Sequence, residues 1–325
     1  MSWIDILGFS IQAALGFQAA AYALAAVGLN LHFGFTGLSN FGHVGFVLVG
    51  AYAVAISAEQ GWSIWVGLLL AVLASVSLGV LLGIPTLRLR GDYLAIVTIA
   101  TAEILRLVVA ARPSAGLTGG STGIRNLDRS LPFNDWNIIP KGSYGLGDFV
   151  VFNERQLWFM LWGWSLAALA TLLVRSLIRS PWGRVIKAIR EDEDAARALG
   201  KSVVVFKLQS FVLGGLIGGV AGAFMALEAG AVGPGRFIAT VTFVYYTIVI
   251  LGGAGTVLGP ILGGVVYWFL IRFTEGVIGN LWFDVSNEAS SAVRFALMGL
   301  ALMLLMIFRP QGILGNKKEV LVGGR

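Results

Sequence analysis

The chain has 325 residues, 57% hydrophobic and 12% charged, about half the roughly 25% charged share of a soluble domain. A mean hydropathy of +0.83 makes lipid the solvent for most of the surface. The lack of cysteine excludes disulfides, thiolate metal sites and cysteine nucleophiles. Only His32 and His43 are available to a His-cluster metal site, and the net charge of +6 lies beside apolar runs, which points to basic cytoplasmic loops and not to nucleic acid.

The N-terminal MSWIDILGFS has no cationic n-region, so no cleaved signal peptide is expected. Apolar stretches follow at about 11–31, 43–58, 62–84, 93–111, 156–178, 207–228, 240–252, 258–278 and 290–308, most near the length needed to cross about 30 Å of hydrocarbon. They predict an all-α polytopic membrane protein with about 8–10 transmembrane helices, some broken or re-entrant. The whole of 1–325 reads as a single transmembrane domain. The 44 glycines suit helices that pack closely in lipid.

The first break is Gly34-Phe35-Thr36-Gly37-Leu38-Ser39-Asn40-Phe41-Gly42-His43. A faint echo appears at Gly233-Pro234-Gly235-Arg236-Phe237 and Gly252-Gly253-Ala254-Gly255. Paired interruptions in two halves are a pointer to a translocation path; ordinary turns between short helices are the alternative. Within the first break, His43 is either a donor to a substrate carboxylate or a cap of the broken helix. Glu103 and Arg106 are three apart and share a helix face. They are either a pathway pair or a structural ion pair, since charge at membrane depth faces a bundle interior or a cavity.

The segment 112–155 is rich in Gly, Pro and Asn, with Arg112, Arg125, Arg129, Lys141 and Arg155 nearly balanced by Asp128, Asp135, Asp148 and Glu154. It reads as an external loop. Residues 179–206 are the most informative stretch. Lysine and arginine are dense there, so it is placed in the cytoplasm, along with Arg88, Arg90 and the tail 309–325 with Lys317, Lys318 and Arg325. Counting spans back puts the N-terminus outside; an extra short helix before residue 11 would reverse that. Pro181 suits the start of a helix and Gly200 its end. Val185, Ile189, Ala196 and Leu199 give it a narrow apolar face. Such a helix lies outside the bilayer and is suited to a partner's groove, or rests on the membrane surface. Gly200-Lys201-Ser202 is not a phosphate-binding loop: the position five before Gly200 is Ala195, not glycine, and no strand precedes it. ATP-driven work must then come from a partner. No metal-ligand spacing, nucleophile elbow or carboxylate pair suggests an enzyme.

A set of blocks in order carries a resemblance. They are Gly28-Leu29-Asn30 with Gly34-Phe35-Thr36-Gly37 and Phe41-Gly42-His43; Pro85-Thr86-Leu87-Arg88-Leu89-Arg90-Gly91-Asp92-Tyr93; Glu103-Ile104-Leu105-Arg106; Leu117-Thr118-Gly119-Gly120-Ser121-Thr122-Gly123-Ile124; Gly183 to Gly200; Leu251-Gly252-Gly253-Ala254-Gly255; and Phe308-Arg309-Pro310-Gln311-Gly312-Ile313-Leu314-Gly315. The chain resembles the LivM-like permease subunits of branched-chain amino-acid ABC importers, and more distantly the ribose-type permeases. The resemblance implies an ABC-importer permease fold in a prokaryotic plasma (inner) membrane, multi-pass, with a cytoplasmic C-terminus. It implies a heterodimer with a second homologous permease, two ATP-binding subunits that bind ATP and Mg, an external solute-binding protein, and no cofactor in this chain. Its coupling loop would hold Gly183, Arg184, Ile189, Arg190, Glu191, Asp192, Ala195, Ala196, Leu199 and Gly200. Its translocation path would touch Asn40, Gly42, His43, Glu103, Arg106, Thr118 and Ser121. The wording of the loop is nearer to amino-acid permeases than to the urea branch. An importer permease for urea, short amides or another small polar solute, and a stand-alone secondary transporter or channel, are the other readings.

Overall fold

A computed structural model describes residues 2–87, 91–125, 127, 136–146, 149–281, 296, 299–300, 303, 307–309 and 311–315. Arg88, Arg90, Asp128, Arg129, Asp135, Asp148, Lys317, Lys318, Arg325 and most of the expected span 290–308 lie outside the described residues. Helices dominate: α1 Trp3–Leu15, α2 Phe17–Asn30, α3 His43–Glu59, α4 Ile64–Thr86, α5 Gly91–Ala110, α6 Ala115–Thr118, α7 Glu154–Arg179, α8 Pro181–Glu191, α9 Glu193–Ala198, α10 Val203–Ala229, α11 Thr240–Gly252 and α12 Gly259–Leu281. The stretches expected between 43 and 278 each coincide with a helix, whereas 11–31 takes in the end of α1 and all of α2. Among the described residues, six helices are long and apolar enough to cross a membrane, seven if the bent α1–α2 pair is one span, and α3 is a shorter apolar helix. The protein is an all-α polytopic membrane protein.

The first span departs from expectation. The helix begins at Trp3, where Ser2 and Asp5 form a capping box, and it bends by 42° at Gly16. Gly16 is extended, with ψ 174°, and serves as the end of one helix and the start of the next. At 13 residues, α1 rises about 20 Å, less than a bilayer core. It packs on α12 and on the strand Val150–Asn153.

The expected external loop is also more ordered than its composition suggests. β2 (Ser143–Leu146) pairs antiparallel with β3 (Val150–Asn153). Upstream, β1 (Ile124–Arg125) pairs with β4 (Ala231–Val232), so this segment closes over the second interruption. These strands form the hairpin face of the bundle; the opposite end, carrying α8 and α9, is the loop face.

The core centres on α10, which packs against α2, α3 and α4. Glycine makes this possible: a Cβ on Gly222 would run into the Val47 carbonyl of α3, and one on Gly50 into the Gly219 carbonyl of α10. With no hydrophobic drive between helices in lipid, such close contact supplies the dispersion energy of association. Outward faces of α4 and α7 expose Leu69, Leu73, Leu81, Leu169 and Leu172, the surface hydrocarbon requires.

Candidate functional site

The first interruption is a helix that unwinds and restarts. After Asn30 the chain makes a π-helical turn, Leu31–Phe35, then runs irregularly to α3. Non-helical backbone at this depth must be satisfied by the protein, and here it is. The Phe41 N–H donates to Thr98 Oγ1 at 3.2 Å, the Gly42 N–H to Asn40 Oδ1 at 3.1 Å, and the Val44 N–H to Thr242 Oγ1 at 3.0 Å. Thr242 belongs to α11, so the restarted helix after each interruption is tied to the other. Asn40 Nδ2 lies 3.1 Å from His32 Nδ1. The amide can only donate, so His32 Nδ1 accepts and its Nε2 carries the proton, which goes to the Phe211 carbonyl at 2.9 Å. His43 Nε2 donates to the Ala25 carbonyl at 2.9 Å. Asn40 and His43 are both 0% exposed, and neither lines the cavities described below. The donors that a carboxylate would use at this helix start are engaged within the protein.

The segment expected to be one helix from Pro181 to Gly200 is two. Asp192 is extended (φ −152°, ψ 105°) and caps α9, accepting from the Ala195 N–H at 2.9 Å. Aspartate competes for local backbone donors and so favours a cap over a helix interior. The apolar face also points differently from the expectation of a partner's groove. Ile189 and Ala196 are buried with Val203 against this chain's own Val185 and Phe206, while Leu199 is 79% exposed. Gly183 is buried on the Ile178 backbone. Arg184, Arg190, Glu191, Asp192, Ala195 and Gly200 are exposed. Glu193 binds Lys207 at 2.5 Å and Arg197 at 2.9 Å, pinning α9 to α10.

Arg190 is the side chain that leaves the loop for the bundle. Its Nη1 donates to the Gly34 carbonyl at the end of the π turn. Its stem crosses Gly37 (φ +74°), where a Cβ would stand 3.3 Å from Arg190 Cγ. Gly255 (φ +74°) lies beneath the guanidinium, its Cβ position 2.9 Å from Nη1. Asn30 completes the joint: its Nδ2 donates to the Thr256 carbonyl at 2.8 Å and its Oδ1 accepts from the Gly255 N–H at 2.9 Å. The C-terminal segment joins as well, with the Ile313 and Leu314 N–H groups donating to the Leu251 and Gly252 carbonyls, each at 3.0 Å. Four separated sequence blocks thus meet at one glycine-lined joint. Asn30, Gly255 and Thr256 were not singled out by sequence as partners of Arg190; the glycine-rich blocks themselves were the signal.

Glu103 and Arg106 do pair, at 2.9 and 2.5 Å. The pair is part-exposed on α5, beside the exposed Ile104, Leu107 and Val108. Thr118 is buried and donates to the Val109 and Ser114 carbonyls at 2.7 and 2.9 Å, stapling the turn after α5; Ser121 is exposed.

Two adjoining cavities open toward the hairpin face. The outer, about 930 Å³, lies among α1, α2, the start of α7 and the ends of α10 and α12. The inner, about 390 Å³, reaches Tyr22 and Tyr245. Phe17, Gln18, Glu228 and Arg236 line both. No sequence argument marked Glu228 or Arg236 beyond a helix end and an interruption.

Residues 12–302 match the family described as branched-chain amino acid transport system / permease component. The chain is 34% identical over 301 residues to the high-affinity branched-chain amino acid transport system permease protein LivM of Salmonella typhimurium, covering 90% of this chain and 67% of that one. It is 25% identical to the probable LivM of Methanocaldococcus jannaschii, over 91% of each. It is 27% identical to LivH of Escherichia coli, covering 91% of this chain and 92% of that one. The chain is a member of the branched-chain amino acid transport system permease family.

Proposed function

We propose that this chain is the permease subunit of an ATP-binding-cassette importer and conducts branched-chain or other neutral amino acids by alternating access. Its partners are a second, homologous permease in a heterodimer, two ATP-binding subunits that hold ATP and Mg, and an external solute-binding protein. The loop face and C-terminus lie in the cytoplasm and the hairpin face outside, in a prokaryotic plasma membrane. The match to both LivM and LivH proteins suits a paired arrangement.

The observation that carries the coupling is the path of Arg190. The loop 181–200 presents charges of both signs outward, and the guanidinium of Arg190, an exposed residue, reaches the Gly34 carbonyl of the first interruption and lies against Gly255 of the α11–α12 turn. A push on α8 by an ATPase moves Gly34 and Gly37 directly. Through Asn30 it moves Gly255 and Thr256, and through Thr242 the starts of α3 and α11 move together. Interrupted helices absorb such a displacement because their backbone is not locked into one ladder. Asn40, Gly42 and His43 hold the interruption in shape, and the solute passes beside it. The energy must come from another chain: Gly200-Lys201-Ser202 forms an exposed turn after α9, with no strand before it to build a phosphate cradle.

The test is reconstitution in proteoliposomes. With all partners present, leucine uptake is expected to require ATP, and the chain alone to transport nothing under an ion gradient. Gradient-driven uptake by the chain alone would identify a stand-alone secondary transporter and contradict the proposal.

A further inference from the structure

The apolar stripe on α4 has a definite length and a definite end. Trp65, Leu69, Leu73, Val80 and Ile84 are exposed along one side of the helix. Gly67, Ala71 and Ser75 are buried on the side that packs against α3 and α10. Residues 60–87 contain no charged side chain. From Trp65 to Ile84 the stripe runs about 29 Å at roughly 1.5 Å per residue, which matches the thickness of a hydrocarbon core. Trp65 therefore stands at one boundary of that core, the level at which tryptophan concentrates. The boundary is the one at the hairpin face, because α3 packs on β1 and β4 before the chain turns into α4. In that turn the Trp62 N–H donates to the Ser57 carbonyl at 2.8 Å, and the Trp62 side chain is exposed.

A distant segment joins this boundary. The Trp136 ring stacks on Trp65, with centroids 5.9 Å apart and planes 28° apart. From there the chain alternates: Trp136, Ile138 and Pro140 are exposed, while Asn137 and Ile139 are half-buried. The inward side is tied down. Asn137 Oδ1 accepts from the Ile139 N–H at 2.9 Å, and its Nδ2 donates to the Glu154 carbonyl at 3.4 Å. The Tyr144 hydroxyl donates to the Pro140 carbonyl at 2.7 Å. Ile138 is thus held outward, 85% exposed, beside a ring at the edge of the hydrocarbon. We propose that Trp62, Trp65, Trp136 and Ile138 form a lipid anchor, and that residues 136–140 rest in the headgroup layer of the leaflet at the hairpin face. Lipid is favoured over a protein partner by two observations. The patch continues the hydrocarbon-facing stripe of α4 without a polar break, and neither 60–65 nor 136–140 holds an acid or base to steer a protein. The anchor also sets the height of the hairpin, whose Phe152 and Asn153 line the outer cavity.

The test uses the full chain in phosphatidylcholine nanodiscs. The chain has no cysteine, so one nitroxide can be placed at a time, and power-saturation EPR reads its contact with oxygen, which concentrates in hydrocarbon, and with Ni-EDDA, which stays in water. Asp194→Cys, at a side chain 90% exposed among charges, is the aqueous reference, and Leu69→Cys on the α4 stripe is the hydrocarbon reference. The Ile138→Cys label is expected between the two, with more oxygen and less Ni-EDDA contact than the Asp194→Cys label. Ni-EDDA contact equal to that of the Asp194→Cys label overturns the anchor, because the segment then lies in water. Loss of contact with both relaxants also overturns it, because protein, such as a second copy of this chain, then covers the patch. Trp136→Ser should shift the Ile138→Cys label toward water, and Trp136→Phe should keep it in place. An unchanged Leu69→Cys label in the same backgrounds shows that the fold and its seat in lipid persist. An Ile138→Cys label that does not move with Trp136→Ser overturns the part assigned to the ring stack.

Discussion

Replacing Asn30 with alanine removes both side-chain hydrogen bonds that hold the α11–α12 turn against the first interruption. Asn30 is 1% exposed, and its amide contacts the Thr256 carbonyl and the Gly255 N–H at 2.8 and 2.9 Å. Asn30→Ala leaves one acceptor and one donor without these partners. An orphaned buried group costs about 1–3 kcal/mol, whereas side-chain hydrogen bonds between membrane helices average about 0.6 kcal/mol. The turn is only partly buried, so the sum falls at about 2 kcal/mol, between those limits. At roughly 2–4 °C per kcal/mol, the melting temperature of the purified chain should fall by about 4–8 °C, measured by circular dichroism in detergent. Asn30→Asp should fall further: it keeps the acceptor but sets a carboxylate against the Thr256 carbonyl. In the assembled importer both variants should move less leucine per ATP hydrolysed. A variant that melts within about 1 °C of the parent and keeps the parental stoichiometry refutes the joint.

Three further substitutions probe other parts of the protein. Leu199→Ala changes an exposed side chain that packs on nothing essential to the fold (79% exposed), so melting should be unchanged, while uptake coupled to ATP hydrolysis drops because the ATPase loses a contact. Gly222→Ala drives a Cβ into the Val47 backbone and should cost about 1–3 kcal/mol by overpacking. Gly279→Ala, with nothing within 4 Å of its Cβ position, should leave melting unchanged or raise it slightly, since alanine is favoured over glycine inside a helix by about 0.5–1 kcal/mol.

The membrane fold was legible because span length and hydropathy are local properties. Helix positions up to α12 follow directly from apolar runs, and Pro181 marks the start of α8 as expected. The bend at Gly16 was hidden because its apolar surroundings continue unbroken on both sides. The division at Asp192 was hidden within a charged run that reads equally as a solvated helix face; only its role as a cap distinguishes it. The glycine blocks at 34–42 and 252–255 stood out as interruptions, but their meeting beneath Arg190 is a three-dimensional fact with no local signature. The same holds for Glu228 and Arg236, whose common cavity depends on the β1–β4 pairing across more than one hundred residues of chain.

The most direct test of the coupling route replaces the Arg190 contact with a covalent one. The chain has no cysteine of its own. Arg190 Cβ lies 3.9 Å from the Cβ position of Gly37, within the roughly 3.5–4.5 Å a disulfide needs. An importer carrying Arg190→Cys and Gly37→Cys should, when reduced, hydrolyse ATP with little leucine uptake, because the link from the loop to the interruption is gone. Oxidation should restore uptake per ATP, and reductant should abolish it again, with Gly37→Cys alone insensitive to both. Full coupling in the reduced double variant, or no recovery once the disulfide has formed, would contradict transmission through this contact.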